Sequence, residues 1–135
     1  DRAPHHTDEN PVYYVHYGHA RIASILRYAE EHDRTDQGAD LSLLTHPAEL
    51  ALIRKMLELP EVVALAAENL APHHLPHYAQ DLAAAFHAFY RDCRVVSSDP
   101  ADAELTKARL RLVKAAKLTL ARTLKLMGVA APERM

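Results

Sequence analysis

The fold class of this chain is decided by the stretch PVYYVHYGHARIASILRYAEE at residues 11–31. Asn10 stands before Pro11, an order typical of a helix N-cap followed by proline at the first helical position. At a helical period of about 100° per residue, one arc of this stretch is apolar. Its members are Val15, Ile22, Leu26 and Ala29, with Gly18 and Ile25 beside them. We therefore predict a long amphipathic first helix whose apolar arc faces a core.

A different arc of the same helix carries aromatic rings and a cation; its members are Tyr13, Tyr17, Arg21, Ser24 and Tyr28. Aromatic rings and the planar guanidinium are the groups that stack on unpaired bases in RNA complexes. Tyrosine-rich surfaces also mark protein interfaces, and such an arc can equally pack on a neighbouring helix or on another domain. The residues alone leave both interpretations open, an RNA-binding face and a packing face.

The rest of the chain predicts four more helices, separated by turn and proline signals. The second opens at Pro47 after Thr45–His46, has Glu49 in its first turn, and ends or kinks at Pro60. The others are expected at residues 61–69, 75–94 and 103–127, the last closed by Gly128. Leu and Ala dominate, and three glycines leave little material for hairpin turns or phosphate-binding loops. The sequence therefore predicts an all-α bundle of about five helices.

Apolar residues recur at helical spacing in three of these helices. They are Leu50, Ile53 and Leu57 in the second, Leu75, Tyr78, Leu82, Phe86, Phe89 and Cys93 in the fourth, and Leu105, Leu112, Val113, Ala116, Leu120, Leu124 and Met127 in the last. Arg109 is an exception, because it places a cation on the apolar arc of the last helix. We expect Arg109 to pair with a buried carboxylate or to reach out at the helix end, and we assign it a structural role.

Charge is distributed unevenly along the 135 residues, although the formal net charge is −2. Residues 104–135 carry eight basic residues and two acids, a net charge of +6, whereas residues 1–103 carry −8. The last helix collects its cations on one stripe, formed by Lys107, Arg111, Lys114, Arg122 and Lys125. Such a stripe can follow a phosphate backbone, or it can be the solvated face of an amphipathic helix. The asymmetry favours a polyanionic partner at the basic end.

The histidines and the single cysteine give little support for metal binding or nucleophilic catalysis. His73, His74 and His77 lie close together, but the chain has a single cysteine and no His-Glu-x-x-His pattern, so we expect no metal site. Cys93 lies near the end of a predicted helix, where the helix dipole does not activate a thiol. His87 lies beside the core face of the fourth helix and is interpreted as a packing residue. We therefore predict no active site in this chain.

Neither secretion nor membrane insertion is indicated. A single cysteine forms no internal disulfide, and no apolar run approaches the roughly 18 residues of a membrane span. The chain starts at Asp1 without an initiator methionine, so we expect it to be a piece of a longer protein. Residues 1–10 are polar and lack periodicity, and we interpret them as a linker that precedes a domain at residues 11–135.

Several strings of residues, taken together, resemble a known family. Residues 10–22, NPVYYVHYGHARI, resemble the NPVYYVQYAHARI segment of arginyl-tRNA synthetases, with His16 and Gly18 in place of Gln and Ala. Residues 85–90, AFHAFY, with Cys93–Arg94–Val95 after them, resemble the family's AFHxFYxxCRV stretch. Residues 108–110, ARL, and the terminal APERM at 131–135 also resemble that family. The resemblance implies an all-α anticodon-binding domain, the C-terminal DALR domain of a class I aminoacyl-tRNA synthetase.

The resemblance also implies a function for the longer protein. The full enzyme of this family ligates arginine to its tRNA with ATP, in an upstream catalytic domain that carries the HIGH and KMSKS motifs. Neither motif occurs in this chain. We therefore expect a domain that is inactive alone, holds no cofactor, and contacts the catalytic domain in cis through the linker at residues 1–10. The expected partner is the anticodon stem-loop of arginine tRNA, and the expected protein is a cytoplasmic monomer without a membrane contact.

Site residues are carried over from the family only at matching positions. Tyr17 and Arg21 are expected to contact anticodon-loop bases, and Met135 is expected to lie beside the anticodon. Further RNA-binding candidates are Tyr13, Tyr90 and Arg94. The alternative is a helical protein-interaction module related to this domain, for example that of a cysteinyl-tRNA synthetase-like protein, which no longer reads tRNA.

Overall fold

The computed structural model describes residues 11–68 and 74–128, and these residues form helices and connecting turns without a strand. The α-helices are α1 (Pro11–Glu31), α2 (Pro47–Leu57), α3 (Leu59–Glu68), α4 (His74–Asp92) and α5 (Ala103–Leu126). Short 3-10 turns at Leu41–Leu43 and Pro100–Asp102 precede α2 and α5. The predicted all-α bundle of about five helices is confirmed. The predicted linker at residues 1–10, the Asn10 cap and Met135 lie outside the described residues.

The helix ends follow from local chemistry that the sequence carries. At the start of α2, His46 Nδ1 accepts a hydrogen bond from the Ala48 backbone N–H at 3.0 Å. Glu49 Oε1 in turn accepts from the His46 backbone N–H at 2.9 Å, so the two side chains cap the helix reciprocally. The third helix begins at Leu59 rather than at residue 61, because Pro60 fits the first turn of a helix, where its missing N–H costs nothing.

Three long helices, α1, α4 and α5, pack against one another, while α2 and α3 pack on α4. The fully buried large side chains between them include Ile22 from α1, Phe86 and Phe89 from α4, and Leu120 and Leu124 from α5. The apolar arcs predicted for α1, α4 and α5 supply most of this core. The core thus fixes the angular position of α1 and decides which of its residues point away from the bundle centre.

The helical spacing of leucines in α2 does not mark its buried face. Leu50 is 39% exposed and Leu57 is 74% exposed, whereas Leu52 is fully buried. The buried face also carries the carboxylate of Glu49, which is 1% exposed. The buried face of α2 therefore combines Leu52 with an acid, and the partner that makes the burial of this acid tolerable lies in another helix.

The loop after α1 is tied to α5 by Asp36. Its Oδ2 accepts from Arg111 Nε at 2.6 Å, and its Oδ1 accepts from Lys114 Nζ at 2.8 Å. The hydrogen bonds from Lys114 and then Arg111 lower the pKa of Asp36 to about 2, so the carboxylate is ionised throughout the neutral range. Two cations of the predicted basic stripe are therefore engaged within the fold.

Gly18 occupies a buried position inside α1, where alanine is expected to be better. A Cβ added there would lie 3.6 Å from His87 Nε2 and 3.8 Å from Ala83 Cβ, which is ordinary van der Waals contact. Because glycine weakens a helix interior, we expect Gly18→Ala to raise the free energy of unfolding by about 0.5–1 kcal/mol in urea titrations. Ala84→Gly, at an exposed position of α4, is the matched control and should lower it by a similar amount. A Gly18→Ala variant less stable than the parent would contradict this expectation.

None of the helices in residues 11–68 and 74–128 combines the length and the apolarity required to cross a bilayer.

Candidate nucleic-acid interface

The face of α1 that points away from the bundle centre meets the last turns of α4 around Arg21. The guanidinium carbon of Arg21 lies 4.7 Å from the centre of the Tyr17 ring and 4.5 Å from the centre of the Tyr90 ring. Tyr17 precedes Arg21 by one helical turn on α1, and Tyr90 comes from α4. A cation and the face of an aromatic ring attract each other, so the two rings hold the guanidinium in place.

The in-plane donors of Arg21 are not consumed by this stacking. Its Nε is buried and donates no hydrogen bond to another described residue. Contact with the two rings uses the faces of the guanidinium, whereas its N–H groups lie in the plane and remain suited to a ligand's acceptor. A buried donor without a partner is uncommon in proteins and calls for a specific explanation. Among residues 11–68 and 74–128, no acid forms an ion pair with the Arg21 guanidinium, which the two rings hold in place.

Tyr17 is itself fixed by neighbouring rings. Its ring lies 6.3 Å from that of Tyr13, at an interplanar angle of 23°, and 5.6 Å from that of His87, at 27°. His87 also contacts Tyr14 and Phe86, with ring centres 4.9 Å and 5.4 Å apart. His87 is therefore a packing residue, as predicted. It lies between Phe86 of the core and the Tyr14 and Tyr17 rings of α1. Its position links the orientation of Tyr17 to the packing of α4.

The Arg21 site opens into a groove of about 1040 Å³ between α1 and the end of α4. The groove continues along the segment after α4 as far as Val96. Its charged lining among the described residues consists of Arg21, Arg27, Arg91, Arg94 and Asp92. Arg91 Nε donates to Asp92 Oδ1 at 3.1 Å, which leaves the groove with an excess of positive charge. Rings and cations together line a cleft suited to a polyanion with flat groups.

The structure brings four of the six predicted RNA-binding residues into this groove. Tyr17, Arg21, Tyr90 and Arg94 line it, and Tyr13 lies next to it in contact with the Tyr17 ring. Their role toward RNA stays a prediction. The role of the terminal methionine also stays a prediction, because that residue lies outside the described part of the chain.

Sequence reasoning missed two cationic lining residues, Arg27 and Arg91, and it placed Tyr28 on the ring-bearing arc without naming it among the RNA-binding candidates. Tyr28 carried a signal, since it falls on the predicted ring-bearing arc of α1. Arg27 and Arg91 carried none, because an arginine outside the apolar arc is ordinary on an amphipathic helix. Their places in the groove depend on how α1 packs beside α4.

Arg109 reaches the back of the groove wall from α5. Its Nε donates to Glu49 Oε2 at 2.5 Å, and its Nη1 donates to the Arg94 carbonyl oxygen at 2.9 Å. The predicted buried carboxylate is therefore Glu49, and the structural assignment of Arg109 is confirmed. The same guanidinium thus joins α2 and α5 to the segment that carries Arg94.

The groove does not have the chemistry of a nucleophilic or metal site. Cys93 lines it, but burial raises the pKa of this thiol above its ordinary value and keeps it protonated at neutral pH. Among residues 11–68 and 74–128, no three side chains of His, Cys, Asp or Glu come together in a way that could hold a metal ion. Of the three clustered histidines, His74 and His77 are described, and His73 is not.

Three known proteins that are similar to this chain are named as the same kind of enzyme. The chain is 59% identical over 127 residues to the arginine–tRNA ligase of Dehalococcoides mccartyi, covering 94% of this chain and 22% of that protein. It is 50% identical over 142 aligned positions to the arginine–tRNA ligase of Heliobacterium modesticaldum, covering all of this chain and 25% of that protein. Its fold matches Thermus thermophilus arginyl-tRNA synthetase with a TM-score of 0.74 and 41% identity, over 90% of this chain and 21% of that structure.

The chain thus spans about a quarter or less of the length of these relatives. The sequence model of one family, described as DALR anticodon binding domain, matches residues 15–135, which is most of the chain. The match includes Tyr17, Arg21 and Tyr28 of α1, the end of α4 and all of α5. By sequence and by fold, this chain belongs to the family of DALR anticodon binding domains.

Proposed function

We propose that this chain binds the anticodon stem-loop of arginine tRNA, as the anticodon-binding domain of an arginine–tRNA ligase. The observation that carries the proposal is the Arg21 guanidinium held between the Tyr17 and Tyr90 rings at the edge of a positive groove. The family of the chain and the names of its relatives support the same function.

The chemistry of the groove fits an unpaired RNA loop. Anticodon bases are unstacked from a duplex and can be splayed onto aromatic rings and guanidinium planes. Base–ring stacking contributes without requiring a particular base, whereas the in-plane N–H groups of an arginine can donate to a base edge. In this proposal the ring-flanked Arg21 meets a base, and Arg27 and Arg94 contact phosphates.

The longer protein is proposed to be a class I enzyme that ligates arginine to its tRNA using ATP. Its catalytic domain, the ATP and the arginine belong to a part of the protein beyond this chain. This chain is then inactive by itself, needs no cofactor of its own, and works with that catalytic domain in cis. A monomer in the cytoplasm is the state in which we propose that it acts.

The alternative is a protein-interaction module that has lost its RNA function. The relatives that match nearly the whole chain are named arginine–tRNA ligase, and the groove offers arginines with a single acidic side chain among the described lining residues. Both observations favour RNA over a protein partner.

Direct titration of the 135-residue chain with an arginine-tRNA anticodon stem-loop tests this proposal. We expect binding at low ionic strength. As salt is added, log Kd should rise linearly with the logarithm of the salt concentration, with a slope of about 0.7 for each phosphate neutralised on a single strand. A matched stem-loop with altered anticodon bases should bind more weakly at every salt concentration. Equal binding of both loops would show nonspecific RNA binding and contradict recognition of the anticodon. No binding to either loop would overturn the proposal.

A further inference from the structure

Tyr28 and His32 form a second flat surface at the end of the groove away from Tyr17. Tyr28 lines the groove and is 50% exposed. The ring of His32 lies 4.0 Å from the Tyr28 ring at an interplanar angle of 25°, and His32 Nδ1 donates to the Tyr28 carbonyl oxygen at 2.8 Å. The imidazole is thereby fixed against the phenol ring. An exposed ring supported in this way is already oriented before any ligand arrives, so little conformational entropy is lost on stacking.

The position of this surface along α1 decides what it can contact. Tyr28 follows Arg21 by seven residues, which is about 10.5 Å along the helix axis and nearly two full turns. The two residues therefore project on similar sides of α1. Successive stacked bases are only about 3.4 Å apart, so two neighbouring bases that remain stacked on each other cannot occupy both sites. The spacing fits two separate, splayed bases of one strand.

Cationic side chains line the same groove as the two stacking surfaces. Arg27 and Arg94 line the same cleft as Tyr28, and Arg91 pairs there with Asp92. A strand with one base at Arg21 and another at Tyr28 must place the phosphates between them somewhere along this lining. A positively charged groove that also carries stacking rings is the arrangement by which proteins bind single-stranded nucleic acid.

We propose that Tyr28, supported by His32, is a second base-stacking site, which takes an unpaired base of the RNA strand bound at Arg21. This inference rests on the proposed function and extends it from a single stacking site at Arg21 to two. It predicts that the chain holds two bases of the anticodon loop that are not stacked on each other. The stacking is independent of base identity, and specificity remains with the Arg21 site.

A tryptophan probe tests the contact directly, because the chain contains no tryptophan. In Tyr28→Trp the indole replaces the phenol ring in the groove, and stacking of a base on it should quench its fluorescence when the anticodon stem-loop is added. Leu57→Trp is the matched control: Leu57 is 74% exposed on α2 and does not line the groove. Its fluorescence should stay unchanged by the same RNA.

Affinity measurements with three proteins complete the test. We expect Tyr28→Ala to weaken stem-loop binding about 5- to 150-fold, the range for loss of one base–ring stack. Tyr28→Phe keeps the ring and should bind within about 2-fold of the parent, by the same stacking argument. A set of stem-loops, each with one abasic nucleotide, should include a position whose loss weakens the parent but not Tyr28→Ala.

Each of the remaining outcomes contradicts either the second stacking site or the proposed function. Parent-like binding by Tyr28→Ala, with an unquenched Tyr28→Trp probe, overturns the second stacking site while the parent's binding upholds the proposed function. Equal losses in Tyr28→Phe and Tyr28→Ala assign the effect to the hydroxyl and overturn stacking. Failure of the parent chain to bind the stem-loop overturns the proposed function and this inference together.

Discussion

Replacing Arg109 with alanine is expected to lower the free energy of unfolding by about 3–5 kcal/mol, the range for removing one partner of a buried ion pair. Glu49 is 1% exposed and its carboxylate accepts from Arg109 Nε, so the substitution leaves an uncompensated charge in the interior. Globular domains are stable by only about 5–15 kcal/mol, so the loss is a large share of the total. Thermal unfolding should show a midpoint lowered by roughly 10–20 °C.

Lys107→Ala is the matched control for this measurement. Lys107 lies two residues away on the same helix and also forms an ion pair, with Glu104 at 3.1 Å, but that pair is exposed. Exposed pairs contribute at most about 1 kcal/mol, so this variant should unfold close to the parent. A double variant, Glu49→Gln with Arg109→Met, removes both charges and should be more stable than Arg109→Ala alone. Equal stability of Arg109→Ala and Lys107→Ala would contradict the structural role of the pair.

Replacing Arg21 with alanine is expected to weaken anticodon stem-loop binding about 5- to 150-fold, corresponding to about 1–3 kcal/mol for one lost stacking contact. Arg21→Lys should lose nearly as much, because an ammonium keeps the charge but not the plane or the forked donors. Tyr90→Ala should have a smaller effect, since it removes one of the two rings that orient the guanidinium and leaves Tyr17. Fluorescence anisotropy with a labelled stem-loop at fixed salt measures all three.

Arg54→Ala controls for the loss of one positive charge. Arg54 is exposed on α2 and does not line the groove, so its removal changes the net charge equally without touching the site. We expect its affinity to stay near that of the parent, within the weak effect of a distant charge screened by salt. If Arg21→Ala binds no worse than Arg54→Ala, Arg21 does not contact the RNA, and the groove contributes only general electrostatic attraction.

Helix positions were largely predictable from sequence, because their signals are local. The predicted first helix coincides with α1, and Gly128 follows α5 in the left-handed conformation, with a φ of 79°. The spacing in α2 predicted the helix but not its buried face. Hydrophobic spacing marks a buried face only where that face is apolar, and here Glu49 occupies it in partnership with a residue 60 positions away.

The candidate site was predictable in its members but not in its arrangement. Helical periodicity placed Tyr17 and Arg21 off the core face, and the family resemblance added Tyr90 and Arg94. Neither source gives the stacking of Tyr90 on Arg21, because those residues lie on different helices that meet only when α1 packs on α4. Tyr28 was visible on the arc, but its companion His32 and its place in the groove were not.

By itself, the sequence determined the helical class, the ends of α1 and α5, the apolar arcs of the three long helices and the family of the domain. These depend on backbone propensity, caps and the helical period, which act over a few neighbouring residues. Only the tertiary structure decided that Arg109 pairs with Glu49, that Asp36 engages Arg111 and Lys114, and that rings and arginines from α1 and α4 form one groove. Those contacts join residues far apart in the chain, and a local pattern carries no information about which distant charge or ring will face it once the helices pack.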